Sequence, residues 1–259
     1  MYIYIMLLPF FYLLIAFIPV LVYILLIWAT APWKSIDLRK AFTHFITGIT
    51  SVGIILTLHR IFPSLVKPIG GFSFNTAYLI FAFIQVSLFE EISKFASFLI
   101  GEKVSGGSDT QFKEKAFATM FYSGISHLSF AFIENVSYAL IYGTDVLLIR
   151  SVVSMLVHFL CGLIMGYWVA KGRMGTRIKM RSFSEILFNK RPDLKIKIYY
   201  VISLLTASFI HGLYDYNLFT GGNFVSSSLI ILGAGIACYL AAKDLIESKQ
   251  NQRIRNSKI

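Results

Sequence analysis

The chain has 259 residues, of which 56% are hydrophobic and only 14% charged, against roughly 25% charged in an ordinary soluble domain. Its net charge is +11. The apolar excess excludes a soluble core and a disordered polybasic chain, and it indicates a polytopic membrane protein. A bilayer span takes about 20 predominantly apolar residues, and seven segments meet that requirement, at roughly 3–29, 42–62, 75–100, 117–142, 146–170, 198–219 and 224–242. The expected fold is all-α, with about seven transmembrane helices around a polar intramembrane chamber. One integral membrane domain over 1–259 is expected, with a motif-bearing core at 75–219, a basic loop at 171–197 and a tail at 243–259.

In chain order, the first segment ends on Ala29-Thr30-Ala31, which mimics a signal-peptide cleavage site. It has no basic n-region, and its apolar run is about twice the length of an h-region, so a retained first helix is expected. The third span carries "LFEEISKFASFLIG", 88–101, with Glu90, Glu91 and Lys94 inside an apolar run. "GEKVSGGSDTQFKEK", 101–115, reads as a flexible loop from its glycines and alternating charge, without phosphate-loop spacing. The fourth span carries His127 and Glu134. The "NVS" sequon at Asn135 falls within that helix and reads as a chance match. The fifth span holds Arg150 and His158, and "HFLCGLIMG" sets Gly162 and Gly166 at four-residue steps, a face that another helix can approach closely. Residues 171–197 form the longest polar stretch and read as a basic loop. An amphipathic surface helix presenting Phe183, Ile186 and Leu187 to lipid is the weaker alternative. The sixth span carries His211 and Asp215. Cys161 and Cys238, the two cysteines, both fall in spans and are expected to pack as small hydrophobes without a disulfide.

Of the 24 basic residues, 20 lie in alternate connections and in the tail, while the opposite connections hold Arg60 and Lys67. This is the positive-inside pattern. It predicts an outside N-terminus and a cytoplasmic C-terminus in a bacterial cytoplasmic membrane. The basic surface is expected to face anionic lipid, not nucleic acid.

The ionisable residues within spans carry the functional signal. Each costs about 2.5–3.5 kcal/mol at a span centre, so four or five facing lipid would cost on the order of 10–17 kcal/mol. That rivals the net stability of a whole fold, about 5–15 kcal/mol. These side chains are therefore expected to face one another. Spacing agrees: Glu90 and Lys94 are four apart, Glu91 and Lys94 three, His127 and Glu134 seven, His211 and Asp215 four.

Such a chamber suits hydrolysis. A carboxylate in a partly apolar site is a competent general base, so Glu90 or Glu91 is expected to activate water. His158 and His211 are candidate oxyanion donors or metal ligands. Glu134, His158 and His211 have the composition of one catalytic zinc class, with Asp215 behind His211, although no HExxH motif is present. An ion-coupled transporter and a non-catalytic scaffold are the alternatives; neither inverted repeats nor interrupted helices are evident. Phe130 and Tyr138 read as plain core aromatics.

The motifs together resemble the PrsW family of intramembrane peptidases. "FEEISKF" resembles its EExxK motif and "FAFIENVSY", 130–138, its FxxxEN segment followed by tyrosine. "RSVVSMLVHFLCGLIMG", 150–166, resembles its third motif, and "HGLYDY", 211–216, its fourth. The resemblance implies a membrane-embedded endopeptidase acting on a membrane-anchored protein, related to the CAAX-processing and bacteriocin-processing enzymes. It implies an active-site set of Glu90, Glu91, Lys94, Glu134, His158 and His211, with Asn135 and Asp215 in support. His127 and Arg150, as ionisable residues within spans, are expected as further supporting residues. Zinc dependence and a metal-free glutamate mechanism both remain open at this point.

Overall fold

In the computed structural model, residues 2–30, 36–63, 67–68, 70–106, 116–173 and 194–256 are described, and among them the chain is helical with no strand. Seven helical runs follow in order. They are α1 (Tyr2–Thr30), α2 (Leu38–Ile61), α3 (74–104), α4 (Ala116–Tyr142), α5 (Thr144–Arg173), α6 (Leu194–Phe219) and α7 (Phe224–Asn256). Six of them, all but α3, are single α-helices long and apolar enough to cross a membrane. The third run joins α-helical Phe74–Ile80, a π-helical stretch Phe81–Leu88 and α-helical Phe89–Val104 without a break in the helical backbone.

Local signals set several ends. Asp37 caps α2 by accepting from the Arg39 amide at 2.8 Å, and Asn223 caps α7 by accepting from the Ser226 amide at 2.9 Å. Between α4 and α5 the chain turns at Gly143, whose φ of 90° lies in the left-handed region that a side chain disfavours. The two helices therefore run back to back, joined by a single residue.

The expected spans coincide with the helices, but several helices run further. α3 continues through Gly101–Val104, residues expected to open a flexible loop, and Glu102 is buried there. α5 continues to Arg173 and α6 begins at Leu194, so the basic connection is shorter than 171–197. α7 runs to Asn256, well into the expected tail. The extensions of α3 and α5 bring Glu102 and Arg173 together at 2.8 Å. The alternative surface helix at Phe183, Ile186 and Leu187 lies outside the described residues.

α4 is the central helix and is buried along most of its length. Its serine-rich face meets α5 through the predicted glycine seam. A Cβ on Gly162 would lie 2.8 Å from the Gly124 Cα and from the His127 Cγ, so the close approach requires glycine. α1 offers one stripe to the bundle, Tyr12, Ala16 and Val20, packed with Leu128, Phe132 and Met155. The rest of α1 and much of α7 expose Phe10, Leu14, Ile18, Leu229 and Leu232. In water such surfaces would drive association; in a bilayer they are the lipid face. Cys161 and Cys238 are buried free thiols within the packed core, as expected.

Candidate active site

The polar residues of α3, α4, α5 and α6 meet in one buried cluster. Lys94 is at its centre and has no exposed surface. Its Nζ donates to Glu90 Oε2 at 3.0 Å, to Glu91 Oε1 at 2.9 Å and to His158 Nδ1 at 3.0 Å. An ammonium has three hydrogens, and all three are used. The Phe130 ring covers the remaining side at 4.2 Å from the nitrogen.

The two adjacent glutamates have different surroundings. Glu91 is fully buried with both oxygens engaged: Oε1 also accepts from His211 Nδ1 at 3.0 Å, and Oε2 accepts from His127 Nε2 at 2.8 Å. His127 Nδ1 in turn lies 2.9 Å from the Ser123 carbonyl, which can only accept. Both nitrogens of His127 thus face acceptors. Among the described residues, Glu90 has only Lys94 within hydrogen-bonding distance, with His211 Nε2 at 3.8 Å, and its side chain is 11% exposed.

His158 bridges the cluster. Its Nε2 meets Glu134 Oε2 at 2.9 Å while its Nδ1 meets Lys94. An ammonium can only donate, so Nδ1 is the bare nitrogen and the single ring hydrogen is on Nε2. Glu134 also pairs with Arg150 Nη2 at 2.9 Å. Arg150 Nε donates to Asn135 Oδ1 at 3.1 Å, and the guanidinium stacks 3.8 Å over Tyr138. Asn135 is fully buried, which suits the reading of its sequon as a chance match. Asp215 Oδ2 lies 3.3 Å from His211 Nε2.

All ten residues singled out in the sequence are brought together. Phe130 and Tyr138, expected to be plain core aromatics, instead lie against the two cations of the site. No spacing rule distinguishes such rings from packing residues, because only the neighbouring helices place them. The cluster is sealed at depth and opens at one end. Lys94, Glu91 and His127 are wholly buried, whereas Glu134 and Arg150 retain 20% and 15% side-chain exposure. Glu134, Arg150 and Asp215 all lie toward the bundle end that holds Gly143, opposite the basic connections.

Glu90, His158 and His211 each offer a ligand atom, all within 4.8 Å of one another. Two imidazoles and a carboxylate form a catalytic zinc set, but its carboxylate is Glu90, where the sequence reading put Glu134. Glu134 is instead engaged by His158 and Arg150. The fit fails at Lys94. An ion shared by Glu90 Oε2 and His158 Nδ1 would lie within about 5 Å of the ammonium, given metal–ligand bonds of about 2 Å. At an effective dielectric of about 20, the repulsion between a divalent ion and that ammonium is about 7 kcal/mol. Attraction to Glu90 and Glu91 would offset that repulsion, but the His158 Nδ1 lone pair is already taken by Lys94 at 3.0 Å, and with Lys94 in this place the set does not fit a divalent ion.

The model of the PrsW family intramembrane metalloproteases matches residues 38–241. Two similar relatives are each named "Protease PrsW". That of Oceanobacillus iheyensis is 26% identical over 160 residues, covering 61% of this chain and 64% of its own length. That of Bacillus subtilis is 24% identical over 185 residues, covering 70% and 73%. The match thus spans slightly under two thirds of the first relative. No solved structure matches the chain.

Proposed function

The chain belongs to the PrsW family of intramembrane metalloproteases, and from that premise we propose that it is an endopeptidase cutting a membrane-anchored protein, with Glu90 as the water-activating base. The observation that carries the choice of base is the unequal bonding of the two glutamates. Glu91 has both oxygens engaged, by three partners, and no exposed surface, so it serves as the anchor for Lys94, His127 and His211. Glu90 has spare acceptor capacity and partial exposure. It is the carboxylate that a water can reach.

In the proposed reaction, Glu90 takes a proton from water and the resulting hydroxide adds to the scissile carbonyl carbon. The oxyanion is stabilised by a donor aimed at the same space; His211 Nε2, 3.8 Å from Glu90, serves as that donor when the ring is doubly protonated, because Nδ1 already donates to Glu91. Collapse breaks the carbon–nitrogen bond, and Glu90 returns its proton to the leaving amine. Lys94 holds Glu90 in place throughout. Glu134 fixes the tautomer of His158, and Arg150 with Asn135 fixes Glu134. The peptide approaches from the Gly143 end. The positive-inside pattern assigns that end to the outer face, with both the basic connections and the C-terminus in the cytoplasm.

The test compares membrane proteomes of cells carrying the wild type and Glu90→Gln, followed by cleavage of any accumulating protein by the purified chain. Glu90→Gln is expected to lower cleavage about 10²–10⁴-fold, the usual worth of a general base, at unchanged abundance in the membrane. Cleavage at the wild-type rate by this variant would rule out Glu90 as the base. Loss of abundance instead of cleavage would favour a scaffold role.

A further inference from the structure

We infer that the ε-ammonium of Lys94 is the resident cation of this site and that the chain acts without a bound divalent metal, although its family is described as metalloprotease. The inference concerns the site used by the peptidase reading. It depends on that reading only for the cleavage assay, because metal content is measured independently.

His158 belongs to the candidate ligand set found among the described residues, Glu90, His158 and His211. One route to a metal is through Nδ1. That lone pair already accepts from Lys94 at 3.0 Å, so a metal there must expel an ammonium that also serves Glu90 and Glu91. The expelled ammonium has nowhere to go, since the Phe130 ring packs 4.2 Å from it and the residue has no exposed surface. The other route is through Nε2. A neutral imidazole that gives its Nε2 lone pair to a metal carries its hydrogen on Nδ1. That hydrogen would point at the hydrogens of the ammonium. Both nitrogens are therefore closed to a metal by one side chain. Glu134 reinforces the arrangement by accepting the Nε2 hydrogen at 2.9 Å.

The same geometry explains what Lys94 contributes. A divalent ion in a hydrolase offsets carboxylate charge and holds the reacting groups at fixed distances. Lys94 does both here for Glu90 and Glu91, from the adjacent turn of the same helix. It is a positioning residue, acting through Glu90. Removing its charge while keeping its bulk should leave Glu90, His158 and His211 facing one another with no cation between them, and should thereby create a metal site.

The experiment uses the full chain purified in detergent as wild type, Lys94→Arg and Lys94→Met, equilibrated with zinc and then freed of excess ion. Wild type and Lys94→Arg are expected to retain only background zinc, and wild-type cleavage to be unchanged by a chelator. Lys94→Met is expected to lose cleavage and to retain zinc, which His158→Ala added to it then releases. Stoichiometric zinc in the wild type that His158→Ala releases would overturn the inference. So would wild-type cleavage that a chelator abolishes and zinc restores, or a Lys94→Met chain that melts cooperatively yet excludes zinc. If Lys94→Met does not fold, the zinc content of the wild type and Lys94→Arg decides. A wild type that holds no zinc and cleaves nothing leaves this inference standing and removes the peptidase reading.

Discussion

Two buried ionic clusters lie along α3. The one at Lys94 has four carboxylates, Glu90, Glu91, Glu134 and Asp215, against the fixed cations Lys94 and Arg150 and three imidazoles. The other lies at the basic end. There Glu102 pairs with Arg173 Nη1 at 2.8 Å and lies 3.4 Å from His44 Nε2. Arg173 Nε donates to the Tyr200 hydroxyl at 2.8 Å, and the His44 ring is stacked between Phe98 and Tyr122. The residue types are the same in both: glutamate, histidine and a basic side chain, walled by aromatics. What differs is the surplus. At the basic end one carboxylate meets one guanidinium and both are enclosed. At Lys94 a carboxylate is left with an unused oxygen, although its side chain is no more exposed than that of Glu102, 11% against 10%. Unspent bonding capacity, more than the presence of charges in a membrane, separates a candidate reactive site from a clasp.

That contrast can be broken most directly at its two glutamate anchors. Glu91→Gln leaves Lys94, His127 and His211 each short of a charged partner, and breaking a buried ion pair from one side costs about 3–5 kcal/mol. Both cleavage and thermal stability in detergent should fall, whereas Glu90→Gln removes one ion pair and leaves Glu91 on Lys94, so it should lower cleavage with a smaller loss of stability. Equal melting temperatures for the two variants would erase the distinction between anchor and base. At the basic end, Arg173→Met should destabilise by a similar amount, about 3–5 kcal/mol, and the double change with Glu102→Met should recover most of it, because a matched apolar pair carries no buried charge. The rate per folded molecule at saturating substrate should stay near that of the wild type. A selective fall in that rate would make the second cluster part of the chemistry. The smallest effect is expected between the clusters: Gly162→Ala places a Cβ 2.8 Å from the His127 Cγ and should cost about 1–3 kcal/mol by overpacking. It should also lower cleavage modestly by moving His127 against Glu91.

The spans were legible because a run of apolar residues long enough to cross a bilayer has few other uses. Glu90, Glu91, Lys94, Glu134, His158 and His211 were legible for the converse reason, as charge where charge is costly. The choice between Glu90 and Glu91 was not. Neighbours on a helix differ by about 100° in direction, and only the positions of α4 and α6 show which one is enclosed. Glu102 and Arg173 escaped because each abuts a polar stretch and reads as the start of a loop. One signal was available for Glu102: it is eleven residues beyond Glu91, which returns it to within about 20° of the same face. Histidine 44 gave no such sign, since a single imidazole in a span is compatible with simple packing.

The π-helical stretch Phe81–Leu88 ends two residues before Glu90. In that stretch Ser87 bonds both the Phe83 and Ser208 carbonyls, at 2.9 and 3.0 Å, and Gly212 of α6 comes close against it. A wider helical repeat makes less angular progress per residue than an α-helix, so this stretch sets the rotational phase between the two halves of α3. Removing one residue from it would turn the half that precedes it by about 100° against the half that carries the carboxylates. The later half is tied at both its clusters, so the rotation would fall on 74–80. Between related chains, a gain or loss of length before the first glutamate would then appear as a change in which residues of that outer segment face lipid, with the carboxylates keeping their aim.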